Sequence, residues 1–185
     1  KMDAYAAVLK VGLDLVRPGG LALYVLPHTF LHAHNTRKLR EFIGREFWVR
    51  LVADLSDIKV FEDVNPYTVL LIVQRRLELA VEPLATVVKC RSDVGEALNA
   101  ALAGRVADNE YFRVFEATQG SFSANAWRLL PPRHQLVIDQ LERLPALSRF
   151  AHIHQGIITG ADEVFLRKNA EVSAKERKIW RPLLS

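Results

Sequence analysis

The chain has 185 residues, half of them hydrophobic, which is enough for one good core or two small ones. Its apolar runs, "LALYVL" and "TVLLIV", are strand-sized and too short for a membrane-spanning helix, and the first residues carry no signal-peptide pattern. A net charge of +4 and a pI near 9.4 permit a polyanionic partner without requiring one, and no basic tail supplies the charge: residues 1–76 hold eleven Lys and Arg against eight Asp and Glu, and the remainder fourteen against thirteen.

Residues 3–16 place Tyr5, Val8, Leu9, Leu13 and Val16 on one helical face, and Pro18-Gly19-Gly20 stops that helix. "LALYVL" is apolar at every position, as a strand covered on both faces would be. A second helix is expected from Arg37 to Phe47, with Leu39, Phe42, Ile43 and Phe47 inward. "VRLVADL" and "YTVLLIVQ" read as two further strands. Helix, buried strand, helix, strand, loop, strand is the alternation of an α/β sheet with helices on its faces. It is also incomplete for a doubly wound sheet, because no G-x-G-x-x-G turn occurs. The expectation is a chain that begins in the middle of a domain.

After Arg76 the texture changes, and a domain boundary is expected near residues 77–82. "ATVVKC" reads as a short strand. It ends in Cys90, the single cysteine, which excludes an intramolecular disulfide and fits a reducing, cytoplasmic location. Asp93 and Glu96 are spaced as a capping box for a helix through Leu102. "YFRVFEATQGSF" alternates like an edge strand, and Pro131-Pro132 opens a helix with Leu136, Val137, Leu141 and Leu144 inward. "IHQGIITGADEVFL" is a strand-turn-strand candidate with Gly156 and Gly160 in the turn.

Several residues invite a chemical reading, each beside a plainer one. His28, His32 and His34 lie close together and His152-x-His154 shares a strand face, yet no Asp, Glu or Cys set completes a metal sphere. No Ser or Cys sits on a glycine elbow, so no nucleophile triad emerges. Arg37, Lys38, Arg40 and Arg45 fall largely opposite the apolar face of the second helix, as a solvated surface or as phosphate contacts. Lys175, Arg177, Lys178 and Arg181 around Trp180 offer a similar pair of readings. Pro27 and Thr29 end the first strand at its carboxyl end, where ligands sit in open α/β sheets; Thr29 either meets substrate or caps the next element. By periodicity alone Phe61 is a core residue between two strands.

"LDLVRPGGLALYVLPHTFL", "TRKLREFI", "VADLSDIKVFEDV" and "YTVLLIVQRR", in that order, resemble the adenine-N6 DNA methyltransferases of the TaqI-like, type IIG restriction-modification group, to which phage-defence methylases of the BREX type are related. "NAWRLLPPRHQLVIDQLERLPALSRFAHIHQGIITGADEVFL" and "WRPLLS" resemble the same family's junction into its target-recognition domain, while residues 83–122 match little. The resemblance implies the later half of a Rossmann-like methyltransferase sheet in residues 1–80, followed in residues 81–185 by a connector and the start of an α+β target-recognition domain. It also implies S-adenosylmethionine as cofactor of the intact enzyme and double-stranded DNA as partner. The family's glycine motif and its N-P-P-Y tetrapeptide lie upstream of these segments, so the resemblance places no catalytic or cofactor-binding residue within this chain and implies that it is inactive alone.

Asn65-Pro66-Tyr67 follows the "RPGG" segment rather than preceding it and lacks the second proline, so it reads as an Asn-Pro turn. The resemblance makes Phe61 the ring that stacks on a flipped adenine, and it puts Pro27 and Thr29 on the active-site rim. It also puts Gly156, Thr159 and Gly160 beside the DNA. A non-catalytic DNA-binding or assembly module is the alternative. A methyltransferase for another substrate sharing the same sheet is a third.

Overall fold

The computed structural model describes residues 4–60, 67–77, 81–123, 125–152, 168, 172, 173 and 175–180. The chain divides into two compact units, Lys1–Leu141 and Glu142–Ser185. Within the first, the order is α1 (Ala4–Asp14), β1 (Leu21–Pro27), α2 (Arg37–Glu46), β2 (Phe47–Asp54), β3 (Thr68–Arg75), β4 (Ala85–Cys90), α3 (Val94–Leu102), β5 (Ala107–Asp108) and β6 (Phe112–Ala117). A further helix, α4 (Pro132–Glu142), begins at the expected proline. In the second unit a single 3-10 turn, Leu147–Arg149, is the regular structure among the described residues. No helix among the described residues is long and apolar enough to cross a membrane.

The fold is α/β, with one mixed six-stranded sheet in the order β1-β3-β2-β4-β6-β5. β3 runs antiparallel to both β1 and β2, so these two are parallel to each other, with α2 as their crossover. β4 pairs parallel with β2 from Leu51 onward, and β6 pairs antiparallel with β4. β3 and β4, before and after residues 77–82, thus belong to one sheet, and the two compact units divide after Leu141.

One face of the sheet is covered by α1 and α2. Leu9 and Leu13 of α1, Leu39 and Ile43 of α2, and Val49, Val52, Val69 and Leu71 of the strands form its core. Trp127 closes this core, meeting Phe30 and Phe122 edge-on at 5.4 and 5.1 Å while its indole N–H donates to the Ser123 carbonyl at 2.8 Å. The other face carries a smaller core, with Ala97, Ala100 and Ala101 of α3 against Val88, Cys90 and Val114. Asp93 caps α3 as its spacing predicts, accepting from the Glu96 backbone N–H at 3.0 Å.

Three expectations are corrected by exposure. Among the described residues β1 is hydrogen-bonded to β3 alone, and Leu21, Leu23 and Val25 are exposed while Leu26 is buried. A run of apolar residues thus belongs to a strand with one open face, a case that composition cannot separate from a doubly covered one. On α1, Val8 is exposed and Ala6 takes its place in the core. On α4, Leu136, Val137 and Leu141 are exposed, as is Leu144 beyond it. "YFRVFEA" does form a strand, but β5 lies outside it as the edge.

Candidate nucleic-acid interface at the carboxyl end of the sheet

Because β1, β2 and β4 share one direction, their carboxyl ends lie along the same side of the sheet, at Pro27, Asp54 and Cys90. Ligands of open α/β sheets gather on that side. α2 crosses from the end of β1 to the start of β2, so its amino end lies on this side too.

Pro27 is half-buried and pairs with Thr68 of β3; it leads into a 3-10 turn, His28–Leu31. The Thr29 carbonyl closes that turn by accepting from His32 and Ala33 at 3.1 and 2.8 Å, and Thr29 itself is exposed. Pro27 and Thr29 are therefore both at the strand's carboxyl end, with the Thr29 carbonyl committed to the turn. Tyr67, exposed, enters β3 and accepts from the His28 backbone N–H at 2.6 Å. This binds the end of β1 to the start of β3.

Arg37 and Lys38 occupy the first turn of α2 and are exposed, and no acidic residue accompanies them there. Cations at a helix amino end oppose the macrodipole by about 0.3–1 kcal/mol each. A bound anion would reverse that conflict, since it meets two positive side chains and the amino end together. Arg40 does something different. It is 2% exposed, and its guanidinium donates to the carbonyls of Phe30 (2.8 Å), Ala33 (3.0 Å) and Asn125 (3.0 Å) and to Thr36 Oγ1 (2.7 Å). Burial lowers its pKa through desolvation, ahead of the influence of Tyr5 and Arg37. The expectation that Arg40 contacts DNA is thus corrected: it is an internal clamp that fixes the turns between β1 and α2, and so the position of Arg37 and Lys38.

The fold creates a pair here that no motif announces. Asp54, the last residue of β2, is 7% exposed; its Oδ1 accepts from the Ser56 backbone N–H at 3.1 Å, and its Oδ2 lies 3.7 Å from His28 Nε2. The His28 side chain is 31% exposed, and its ring stands 5.4 Å from that of His32. The two residues are 26 positions apart and meet past the start of β3, which lies between their strands. Strand-end position was the available signal, and it is weak without the register. In the same row, Asp54 is the register partner of Lys89, and Lys89 of Arg113. Arg113 is held at 2.8 Å by Asp108.

Phe61, Gly156, Thr159 and Gly160 lie outside the described residues. Among the described residues no group of three or more His, Cys, Asp or Glu is placed to hold a metal ion. Nor do these residues fit a cofactor cradle for S-adenosylmethionine. β1 runs into a proline and a turn holding buried Phe30 and Leu31, and the positive-φ glycines, Gly19 and Gly104, are not at the carboxyl end of a parallel strand.

No family profile matches the sequence, and no curated relative is found for it. Among solved structures, similarity is found to the type IIG restriction endonuclease BpuSI, at 16% identity and a TM-score of 0.48 over 94% of this chain. A modification subunit of a putative type I restriction enzyme from Vibrio vulnificus YJ016 gives 17% and 0.49 over 72%. The type I restriction enzyme EcoKI M protein gives 15% and 0.48 over 96%. The chain spans 22%, 33% and 47% of the lengths of those three chains, respectively.

Proposed function

We propose that the chain is part of a DNA adenine-N6 methyltransferase, in which it presents the DNA-facing end of the catalytic sheet to a flipped adenine. The observation that carries this reading is the landing place of two separated family-like segments. "VLPHTFL" ends β1 and "VADL" ends β2, and these parallel strands finish on the same side of the sheet with β3 between them. The exposed cations of the α2 amino end lie on that side as well. Phosphate contacts there would position a duplex without reading its sequence. In this reading Phe61, in the segment that follows β2, stacks on the extruded base, and the groups that hold the amine and S-adenosylmethionine lie outside this chain.

The test is Phe61→Ala in the intact enzyme, with 2-aminopurine at the target position. Loss of one base-aromatic stack weakens binding of an extrahelical base by about 1–3 kcal/mol. The expected result is that loss with an unchanged melting temperature. Unchanged base binding sinks the base-stacking role, and methyl transfer by the isolated 185-residue chain sinks the assignment of the chemistry to residues elsewhere. The lack of a cofactor cradle among the described residues favours one other reading, a non-catalytic DNA-binding module. That module would bind duplex DNA in a salt-dependent way whether or not Phe61 is replaced.

A further inference from the structure

β3 and β6, the two strands that run against the parallel set, each enter the sheet from the rim through a tyrosine: Tyr67 precedes Thr68, and Tyr111 precedes Phe112. Register puts these two residues on one level. Val69, Asp54, Lys89 and Arg113 are successive cross-strand partners, and each tyrosine stands two residues before an end member of that row. Three strand spacings separate β3 from β6, so the tyrosines lie roughly 14 Å apart along the rim. Both are fixed through the main chain. The Tyr67 carbonyl accepts from the His28 N–H at 2.6 Å, and the Tyr111 carbonyl accepts from the Arg91 and Ser92 N–H groups at 2.8 and 3.2 Å. The side chains are left in water: Tyr67 is 68% and Tyr111 52% exposed, and among the described residues neither ring meets another ring. A shallow depression of about 480 Å³ lies at the second of them, lined by Ser92, Asp93, Val94 and Tyr111 itself.

An exposed ring on a fixed backbone is ready to bind, since a partner has only two side-chain torsions to order. Charge does not select that partner here. The charged residues that follow β2 and β4, Asp57 with Lys59 and Arg91 with Asp93, cancel in formal charge. What the two rings offer is a π-face, and every nucleobase has one to lay against it. We propose that this rim holds an unpaired stretch of DNA strand, with one base stacked on Tyr67 and another on Tyr111. The proposal rests on the DNA reading above and gives it a place for the strand that base extrusion opens. The interval of roughly 14 Å corresponds to about four nucleotides at the stacked rise of one strand.

The experiment is fluorescence anisotropy of a labelled single strand of about eight nucleotides, and of the matching duplex, with the 185-residue chain. Tyr67→Ala and Tyr111→Ala are each expected to weaken single-strand binding by about 5- to 150-fold, the loss of one base stack. Tyr67→Phe and Tyr111→Phe should bind as the wild type does, because the ring is used and the hydroxyl is not. Tyr67→Leu and Tyr111→Leu keep an apolar side chain on the same main-chain ties; they are expected to lose binding as the alanine variants do, which separates stacking from a structural role. Single-strand binding that is unchanged in the alanine and leucine variants at either position overturns the two-ring track. So does a wild-type chain that takes up the duplex and not the single strand; both results leave the DNA reading standing. Failure to bind either form overturns both.

Discussion

Arg40 and Gly44 lie one turn apart on α2, and each is fixed by backbone from elsewhere in the chain. Arg40 replaces the water that four acceptors would otherwise require, so truncating it strands buried carbonyls as well as losing its own bonds. Arg40→Met should cost about 2–4 kcal/mol in chemical denaturation. It should also weaken duplex binding, since the turns that position Arg37 and Lys38 are released. Gly44 is the point where α2 approaches the 119–123 segment: a Cβ there would meet the Phe122 carbonyl oxygen at 2.6 Å. Gly44→Ala is expected to destabilise by about 1–3 kcal/mol despite alanine's helix propensity. At Gly95, in α3, the nearest atom to an added Cβ is Asp93 Oδ1 at 3.7 Å, which is ordinary contact. Gly95→Ala should therefore gain up to about 0.5–1 kcal/mol. Opposite signs from the same substitution in two helices, read by urea melts, test the packing directly; equal signs would contradict it. Cys90 adds a pH dependence. Burial between β4 and α3 raises the pKa of its thiol, the hydrogen bond from Ser92 opposing this more weakly. The unfolded chain then loses its thiol proton first, so this contribution is fully present below the ordinary thiol value and is lost as pH rises from there through the raised native value. Thiol-reactive dye should label the native protein only at the rate of unfolding, and the melting temperature should fall on the alkaline side less steeply in Cys90→Ala than in the wild type.

At the scale of elements, the join between β2 and β4 shows how a side chain can stand in for a strand. β4 begins to pair only at Leu51, just past an irregularity between Val49 and Leu51. Val49 N–H and C=O are satisfied instead by the Gln119 amide, at 2.9 and 2.8 Å, and the same amide donates to the Pro83 carbonyl at 2.9 Å. Gln119→Leu keeps the volume and removes all three bonds. It should cost about 2–3 kcal/mol, because the main-chain groups at Val49 stay buried; Gln119→Glu should cost less at low pH than at neutral pH, where the charge is buried as well. Much of this framework was legible in the chain. The helices α1, α2 and α3 and the strands β1 to β4 fall where periodicity, Pro18-Gly19-Gly20 and the Asp93 cap put them. What periodicity could not supply was the neighbour of each element. It gave no reason to place β3 between β1 and β2, and without that placement neither the open face of β1 nor the meeting of His28 with Asp54 can be foreseen. Arg40 failed for a related reason, since helical spacing puts it on the polar side and only the turns folded over it make that side interior. The Asn-Pro-Tyr and glycine-turn readings fall wholly or partly on residues outside those described.

For the molecule as a whole, the β1 edge of the sheet and an exposed apolar face coincide among the described residues. β1 offers its outer backbone and the side chains of Leu21, Leu23 and Val25, beside half-buried Leu70 and Ile72 of β3, with no charged residue in the strand. Edges of this kind invite association. Light scattering of the isolated chain is expected to show concentration-dependent self-association that Leu23→Lys suppresses while changing the unfolding free energy by no more than about 0.5 kcal/mol. An equally aggregating Leu23→Lys would place the sticky surface elsewhere. The position of β3 also bears on synthesis at the ribosome. The strand that joins β1 to β2 is the last of the three to be made, so residues 21–54 emerge with both strands and their crossover helix but without the ladder that would hold them. Until Arg75 has left the exit tunnel, the nascent chain has no way to close its sheet. A stalled product ending near residue 66 should be degraded by protease as readily as an unfolded chain, and one ending well beyond residue 120 should be protected.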